Sequence, residues 1–352
     1  MRGKNGQTVS PCGCPRIIRF VLRGFVLYIR RESELRPEES DPETTMIYTL
    51  TLNPSLEKII DVEEFVYDDV NVILDEKRSA EGKGIDVSRV IKELGGQSVA
   101  LGFMGGYNGL EVEGRLASEG ILCDFTRVSG ETRTNINIHQ QRKKMQTLLS
   151  AAAAEVTEFD VAILYNRIKQ IPRGSHMVMT GSMPPGLNDN FYAQIIAVLK
   201  NRGVRTFLDA DGEALKAGVL AGPYLMKPNI HEFGRLLENN LKDQEEVLEH
   251  AATYLDLAEF VVVSMGVRGA VGVSRKEKYF VSPPKVNVKS SIGAGDALLA
   301  GIVFGLSEGA SFKDALSLGV ACGTASTLNA GQGVCMKDDV YAIMKQVSMK
   351  NA

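Results

Sequence analysis

From Met46 onward the apolar positions fall into two alternating patterns. Short runs rich in β-branched and large apolar residues recur as "IYTLTL", "SVALGF", "HMVMTG", "VRTFLDA" and "FVVVSM". Their length and their flanking turn residues predict strands rather than buried helices. Between them stand segments with helical spacing, such as "IDVSRVIKELG", "LEVEGRLASEG" and "DNFYAQIIAVLKNRG", each closed by glycine. Glycine just past the last periodic residue is a helix stop. Strands that alternate with helices predict an α/β fold with a mostly parallel sheet and helices on both faces. The uninterrupted apolar run "FVVVS" suits a central strand covered on both sides.

Two segments break that rhythm, "NVILDEKRS" at 71–79 and "TRTNINIHQQ" at 132–141. Both alternate polar and apolar residues, as a strand with one wet face does. They predict a small β-sheet outside the main one, a lid with strands near 60–80 and 125–145. Residues 1–45 have a third character: basic up to Arg31, then acidic and proline-bearing in "ESELRPEESDPETT". They read as an extension that is disordered or stands apart from the fold. A membrane-surface helix in the basic part, up to Arg31, is the alternative. The folded domain is expected over 46–352, opening on the strand of "MIYTLTLNP".

Composition narrows the class. The chain has 352 residues, 44% hydrophobic and 24% charged, with a formal net charge of −3. Those values describe a globular protein with no bias toward nucleic acid. Arg19 and Arg23 interrupt the most apolar stretch, so no membrane span is expected. The five cysteines form no repeated pair, and the four histidines are scattered. That excludes a zinc pattern or a disulfide framework and fits a reducing, cytoplasmic setting.

The candidate chemistry gathers at strand ends. "SSIGAGDALLAG" at 290–301 puts a glycine turn ahead of a helix and Asp296 in its first turn. Such a turn aims unpaired N–H groups and the positive dipole end at an anion, phosphate above all. Asp296 could equally be an acid that only complements the dipole. The chain has no Walker loop, no dinucleotide fingerprint and no protein-kinase set. "SAEGKGIDVSRV" places Lys83 between Gly82 and Gly84 at a second loop-to-helix junction, either an anion site or a solvated turn. "TLNPSLEK" delivers Asn53 and Glu57 beyond a strand, and "TGSMPPG" delivers Ser182 beyond another. Ligands of open α/β sheets bind at such carboxyl ends. "KPNIHE" pairs Asn229 with Glu232, as a water-mediated Mg2+ site or a capping box. "SMGVRG" at 264–269 reads as a hairpin turn. Anion-friendly helix starts on one sheet edge suit a phosphoryl donor facing an acceptor.

In their order, "TLNP", "GKG", "TRTN", "GSMPPG", "KPN", "SMG" and "GAGD" resemble the ribokinase-like phosphofructokinase B family of sugar kinases, from Met46 to about Val347. "TLNP" and "TRTN" look like its sugar-phosphate branch. "VSRVIKELGG" and "LDADGEAL" lean toward a phosphofructokinase. The resemblance implies a three-layer α/β/α fold with a small β-sheet lid, ATP and Mg2+ as cofactors, and a small sugar-phosphate substrate. Fructose 1-phosphate or fructose 6-phosphate would become the bisphosphate. It implies Asp296 as base and the backbone of Gly293, Ala294 and Gly295 as an anion hole. Lys227, Asn229, Ser264, Gly266 and Gly269 would lie along ATP, with Glu232 acting on Mg2+ through water. Glu57, Gly82, Lys83, Gly84, Asp86, Arg133 and Ser182 would hold the sugar phosphate. A homodimer through the lid is compatible with it.

Three positions depart from the usual family pattern. Glu57 stands for aspartate, Asp86 stands for asparagine, and "SAAAAEV" at 150–156 stands for a glycine-proline turn. The alanine run favours helix. All three fall on the acceptor side. They open two alternatives: a kinase for tagatose 6-phosphate or for an unphosphorylated sugar or nucleoside, and a nucleotide-binding regulator with an impaired acceptor site.

Overall fold

The computed structural model describes residues 18–22, 25–29, 45–329 and 334–352. It divides into a unit of residues 1–43 and a unit of 44–352. Within the first, Ile18–Leu22 and Phe25–Ile29 are strands paired antiparallel. The rest of the expectation for 1–45 lies outside the described residues.

The second unit is built on a ten-stranded sheet. Its spatial order is Ser348–Asn351, Lys278–Ser282, Ala270–Ser274, Phe260–Ser264, Leu225–Met226, Arg205–Asp209, His176–Thr180, Ile47–Thr51, Ser98–Gly105 and Leu122–Val128. The last seven run parallel, and the first three extend the sheet antiparallel. Side chains alternate between two cores with the two-residue period of a strand. Val178, Phe207 and Val262 face one core, while Met177, Met179, Leu208, Val261 and Val263 face the other. Burial on both faces explains why these strands read as unbroken apolar runs.

On the first face lies the helix Ala294–Ser307, apolar on nearly all sides and packed on Phe312–Ser326. The two approach closely because glycines line their contact. A Cβ at Gly319 would come within 2.5 Å of the Ile302 side chain, and one at Gly301 within 2.8 Å of Cys322 Sγ. So tight a seat fixes where the helix begins.

The second sheet has four strands, in the order Asp75–Glu81, Ser55–Val62, Arg133–Gln140 and Met145–Leu149. It contains the two expected segments, shifted slightly, and adds two more strands. The segment 122–128, placed near the lid from sequence, is an edge strand of the main sheet instead. Its Leu101-to-Asp124 and Gly102-to-Phe125 register continues the parallel ladder. In the small sheet Ser55 pairs with Glu81 on one side and Arg133 on the other. Those three residues therefore form one row at the end nearest the main sheet.

The alanine run at 150–156 is not helical. Tertiary bonds override its propensity: the Ala151 N–H donates to Asn135 Oδ1 at 3.2 Å and the Val156 N–H to the Pro185 carbonyl at 3.0 Å.

Candidate active site

Strand order places the site. The chain leaves Ile47–Thr51 for Ser98–Gly105 on one side and later returns to His176–Thr180 on the other. A crevice opens at the carboxyl ends where the order reverses. A cavity of about 680 Å³ lies there, lined by the strand-end residues Thr51, Thr180 and Asp209. The lid row of Ser55, Glu81 and Arg133, together with Asn135, forms its opposite wall. Gly82, Lys83, Asp86, Ser182, Glu232, Gly293 and Asp296 complete its chemistry. A second cavity, of about 470 Å³, is lined by Ser264, Gly266, Gly269, Ala294 and Gly295. Its remaining wall is largely apolar, with Val267, Pro284, Val286, Leu298 and Val320.

The start of the helix Ala294–Ser307 stands between the two. Gly293 and Asp296 face the first cavity, and Ala294 and Gly295 face the second. Gly293 has φ 77°, a left-handed turn that glycine adopts without strain. It turns the chain into the helix and leaves first-turn N–H groups without intrahelical partners. The Ala294 N–H points at the Ser291 carbonyl at 3.4 Å. A Cβ at Gly295 would lie 3.7 Å from the Lys227 ammonium and near nothing else within 4 Å among the described residues. One face of this turn is therefore open, with a cation at its edge.

Asp296 is only 7% exposed. Burial, and then the Asp209 carboxylate, push its carboxyl up to about 7, while Lys83 and Lys227 pull it back. Lys227 is 2% exposed and bridges Asp209 at 3.2 Å. Thr180 Oγ1 donates to the same Asp209 oxygen at 3.3 Å. Burial works against the charge on Lys83, yet Asp209, Asp296, Glu232 and Asp211 outweigh it and raise its pKa. Lys83 forms no ion pair among the described residues, and neither does Arg133.

The Arg133 guanidinium is loosely held. Its contacts are to Ser150 Oγ and the Ala151 carbonyl, both at 3.4 Å, and to the Asn53 carbonyl at 3.3 Å. Its Nε is buried without a partner. Across the cavity the Asn53 amide donates to Ser182 Oγ at 3.2 Å. A cation with spare donors beside a hydroxyl is suited to an anionic oxygen cluster.

Other expected residues fall elsewhere. Lys227 and Asn229 line neither cavity. Asn229 caps the helix Ile230–Leu237, with Oδ1 accepting from the Glu232 N–H at 3.0 Å and Glu232 Oε2 accepting from the Asn229 N–H at 2.7 Å. The capping-box alternative is thus present, and Glu232 faces the first cavity as well. Gly84 supports the turn from behind, because a Cβ there would meet Thr51 Oγ1 at 2.5 Å and the Leu50 carbonyl at 2.8 Å. Glu57 sits two residues farther along the lid strand than Ser55, outside the cavity wall. "SMGVRG" is a hairpin turn between antiparallel strands, with Gly269 at φ 90°. Sequence reasoning missed Asp209 and Glu81 as site residues. For Asp209 the available signal was an acid in the last position of the strand in "VRTFLDA".

The sequence model of the pfkB family carbohydrate kinases matches residues 51–339. The chain is 34% identical over 308 residues to a 1-phosphofructokinase of Borreliella burgdorferi, covering 87% of this chain and 99% of that one. It is 31% identical over 309 residues to a tagatose-6-phosphate kinase of Staphylococcus epidermidis, covering 86% and 99%. The crystal structure of phosphofructokinase-2 from Escherichia coli in complex with fructose-6-phosphate superposes with a TM-score of 0.79 at 31% identity, again covering 86% and 99%.

Proposed function

Because the chain belongs to the pfkB family of carbohydrate kinases, we propose that it transfers the γ-phosphoryl group of ATP to a phosphorylated ketohexose, fructose 1-phosphate or fructose 6-phosphate, to give the bisphosphate. Tagatose 6-phosphate is the alternative acceptor of the same chemistry. The observation that carries the reading is the helix start at 293–296, which divides its residues between two cavities. One cavity is polar and charged and suits a sugar phosphate. The other is largely apolar and suits a nucleotide base and ribose.

Asp296 then faces the acceptor and takes the proton of its attacking hydroxyl. An aspartate at its ordinary pKa is a weak base toward an alcohol. Burial and Asp209 raise that basicity, and the hydroxyl turns acidic as its oxygen bonds to phosphorus. The first-turn N–H groups of Gly293, Ala294 and Gly295 face the oxygens of the transferring group, with the helix dipole behind them. Lys227 stands beside Gly295 at the same edge, and Ser264, Gly266 and Gly269 shape the nucleotide side. Mg2+ bound through phosphates needs only one or two protein carboxylates. Glu232, lining the cavity with Oε2 fixed by Asn229, fits such a water-mediated role. When present, the ion would offset the charge of the phosphoryl oxygens. A cytoplasmic site accords with phosphorylated substrates, and no helix of the described residues is long and apolar enough to cross a membrane.

Arg133 and Ser182, with Lys83 nearby, would hold the acceptor's own phosphate. Charge-assisted bonds of this kind contribute about 1.5–3 kcal/mol each. Arg133→Ala is therefore expected to raise KM for a phosphorylated ketose by roughly 30-fold, with KM for ATP unchanged. A coupled assay comparing fructose 6-phosphate with free fructose checks this. Equal effects on both sugars would remove the phosphate role.

The lid also leaves apolar side chains in water. Met145, Leu148 and Leu149 on its outer strand are each more than half exposed, as are Tyr67, Val70 and Val72 in the adjoining loop. Such a patch supports a homodimer through the lid. Sedimentation should give a dimer that Leu148→Asp together with Leu149→Lys converts to monomer; a wild-type monomer at micromolar concentration would refute it.

A further inference from the structure

The reading above accounts for the cations of the acceptor cavity but leaves an acidic part of its wall without a task. Glu81 ends the lid strand Asp75–Glu81, just before the Gly82 turn, and lines the cavity. Asp86 lines it from the first turn of the helix Lys83–Glu93. Asp86 is already engaged, because Arg89 Nη1 donates to its Oδ1 at 3.0 Å. The other donors of Arg89 are committed to Glu119, at 2.7 and 3.0 Å. Glu81 has no such ion pair: its Oε1 is buried and makes no hydrogen bond of good geometry, with the Ser79 hydroxyl standing nearby and itself unpartnered. Beside it, Thr51 Oγ1 is also buried and unpartnered, on a residue only 3% exposed. Buried polar atoms of this kind are rarely left unpaired, and at a cavity wall a ligand can satisfy them. Asn135 and Ser55, bonded to each other at 3.2 Å, continue the same wall toward Arg133.

We propose that Glu81 is a specificity-determining residue of the acceptor site, binding the sugar's hydroxyl groups together with Asp86 and Thr51 while the sugar's phosphate is held at the Arg133 and Ser182 end. This rests on the sugar-phosphate kinase reading and adds the orientation of the acceptor within it. A phosphate dianion against two carboxyls would meet like charge, whereas a neutral polyol face offers both donors and acceptors. A carboxyl that keeps its proton can donate to one hydroxyl oxygen and accept from another hydroxyl. Around Glu81 stand Arg89 and Asp86 from the helix Lys83–Glu93, Glu57 and Ser79 from the lid, and Glu119. Burial foremost, with Glu57 and Glu119 and against the pull of Arg89 and the Ser79 hydroxyl, raises the Glu81 carboxyl to about 7. Burial and Glu81 likewise push Asp86 up, against Arg89. The pair therefore holds a proton near neutral pH, and Glu81 gives up its own as pH rises through about 7.

The test is steady-state kinetics of the full chain with ATP, Mg2+ and three acceptors, fructose 1-phosphate, fructose 6-phosphate and tagatose 6-phosphate, from pH 6 to 9. Glu81→Ala is expected to raise acceptor KM about 10-fold or more, the cost of one or two lost hydrogen bonds, and to change the ranking of the acceptors. Its kcat and its KM for ATP stay within about twofold. Glu81→Gln, which keeps a donor and an acceptor, should recover most of that loss. It should also abolish the rise in acceptor KM above pH 7 that is expected of the wild type. A wild-type KM for Glu81→Ala with an unchanged acceptor ranking would overturn the proposal and leave the kinase reading intact. The same holds if Glu81→Gln keeps the wild-type pH dependence. No turnover of any acceptor by the wild-type protein would overturn both.

Discussion

Asp296→Asn is expected to cut kcat by about 10²–10⁴-fold, the usual contribution of a positioned general base, while ATP still binds within a few-fold of the wild-type affinity. The amide has the same shape and the same seat on a tightly packed helix, so the loss isolates the proton acceptor. The wild-type pH profile should agree: kcat/KM for ATP falls as pH drops through about 7, where Asp296 takes up a proton. The same shift makes a claim about stability. The folded-state pKa lies above the ordinary value of 3.8, so the folded protein holds this proton more tightly than the unfolded chain does. The stability it contributes is present below about pH 4 and is lost as pH rises toward 7. Removing the charge relieves that cost. At pH 8 the asparagine variant should melt higher than wild type, by roughly 5 °C, and the difference should shrink toward pH 5. A variant that is both inactive and less stable at pH 8 would mean that Asp296 is a structural acid paired within the fold.

Lys227→Met is expected to destabilise the protein by about 3–5 kcal/mol, the cost of leaving one member of a buried ion pair alone. Among the described residues Asp209 would keep only the Thr180 hydroxyl. Methionine fills nearly the same volume, so the effect reports the lost charge rather than a cavity. A second readout separates this from general damage. Lys227 pulls the Asp296 pKa down and Asp209 pushes it up. With the lysine gone the acid limb of the rate profile should move above pH 7, so that activity is recovered at alkaline pH in the fraction that remains folded. Denaturant unfolding and the pH profile together check it. Unchanged stability would show that the Lys227–Asp209 contact contributes nothing net, and an unmoved acid limb would disconnect it from the base.

Much of the helix start at 293–296 was legible because its features are local. A glycine in a left-handed turn, an aspartate in the first turn and a small-residue apolar helix all follow one another within "SSIGAGDALLAG". The two-core sheet was legible for the same reason, since its apolar runs are contiguous. Asp209 was not: its part is set by Lys227, eighteen residues later and just past the neighbouring parallel strand, and by Asp296, on a helix far along the chain. Glu57 and Glu81 show the limit from the other side. Glu57 follows the Asn-Pro turn and reads as the sugar's acid, yet it stands two residues beyond Ser55 on the lid strand, near Glu81 but not itself lining the cavity. Glu81 looks like a residue of a solvated strand, and the row of Ser55, Glu81 and Arg133 that makes it part of the site exists only in the register of the lid. The alanine run at 150–156 failed as a helix because Asn135 and Pro185 take its backbone groups first.

Asp86 shows how a departure from the family pattern can be absorbed. The family resemblance would put an amide there, and Arg89 meets the carboxyl that replaces it at 3.0 Å. The contact closes within one helical turn, and among the described residues Lys83 and Arg133 on the cavity wall stay without an ion pair.

The central claim is that the helix start at 293–296 joins a nucleotide to a sugar phosphate across one phosphoryl transfer. Phosphorus NMR of the wild-type protein with ATP, Mg2+ and each of fructose 1-phosphate, fructose 6-phosphate, tagatose 6-phosphate and free fructose tests it most directly. The account predicts ADP and a ketohexose bisphosphate in equal amounts from at least one phosphorylated sugar, with free fructose a poorer acceptor. ATP bound but no bisphosphate from any of them would contradict it.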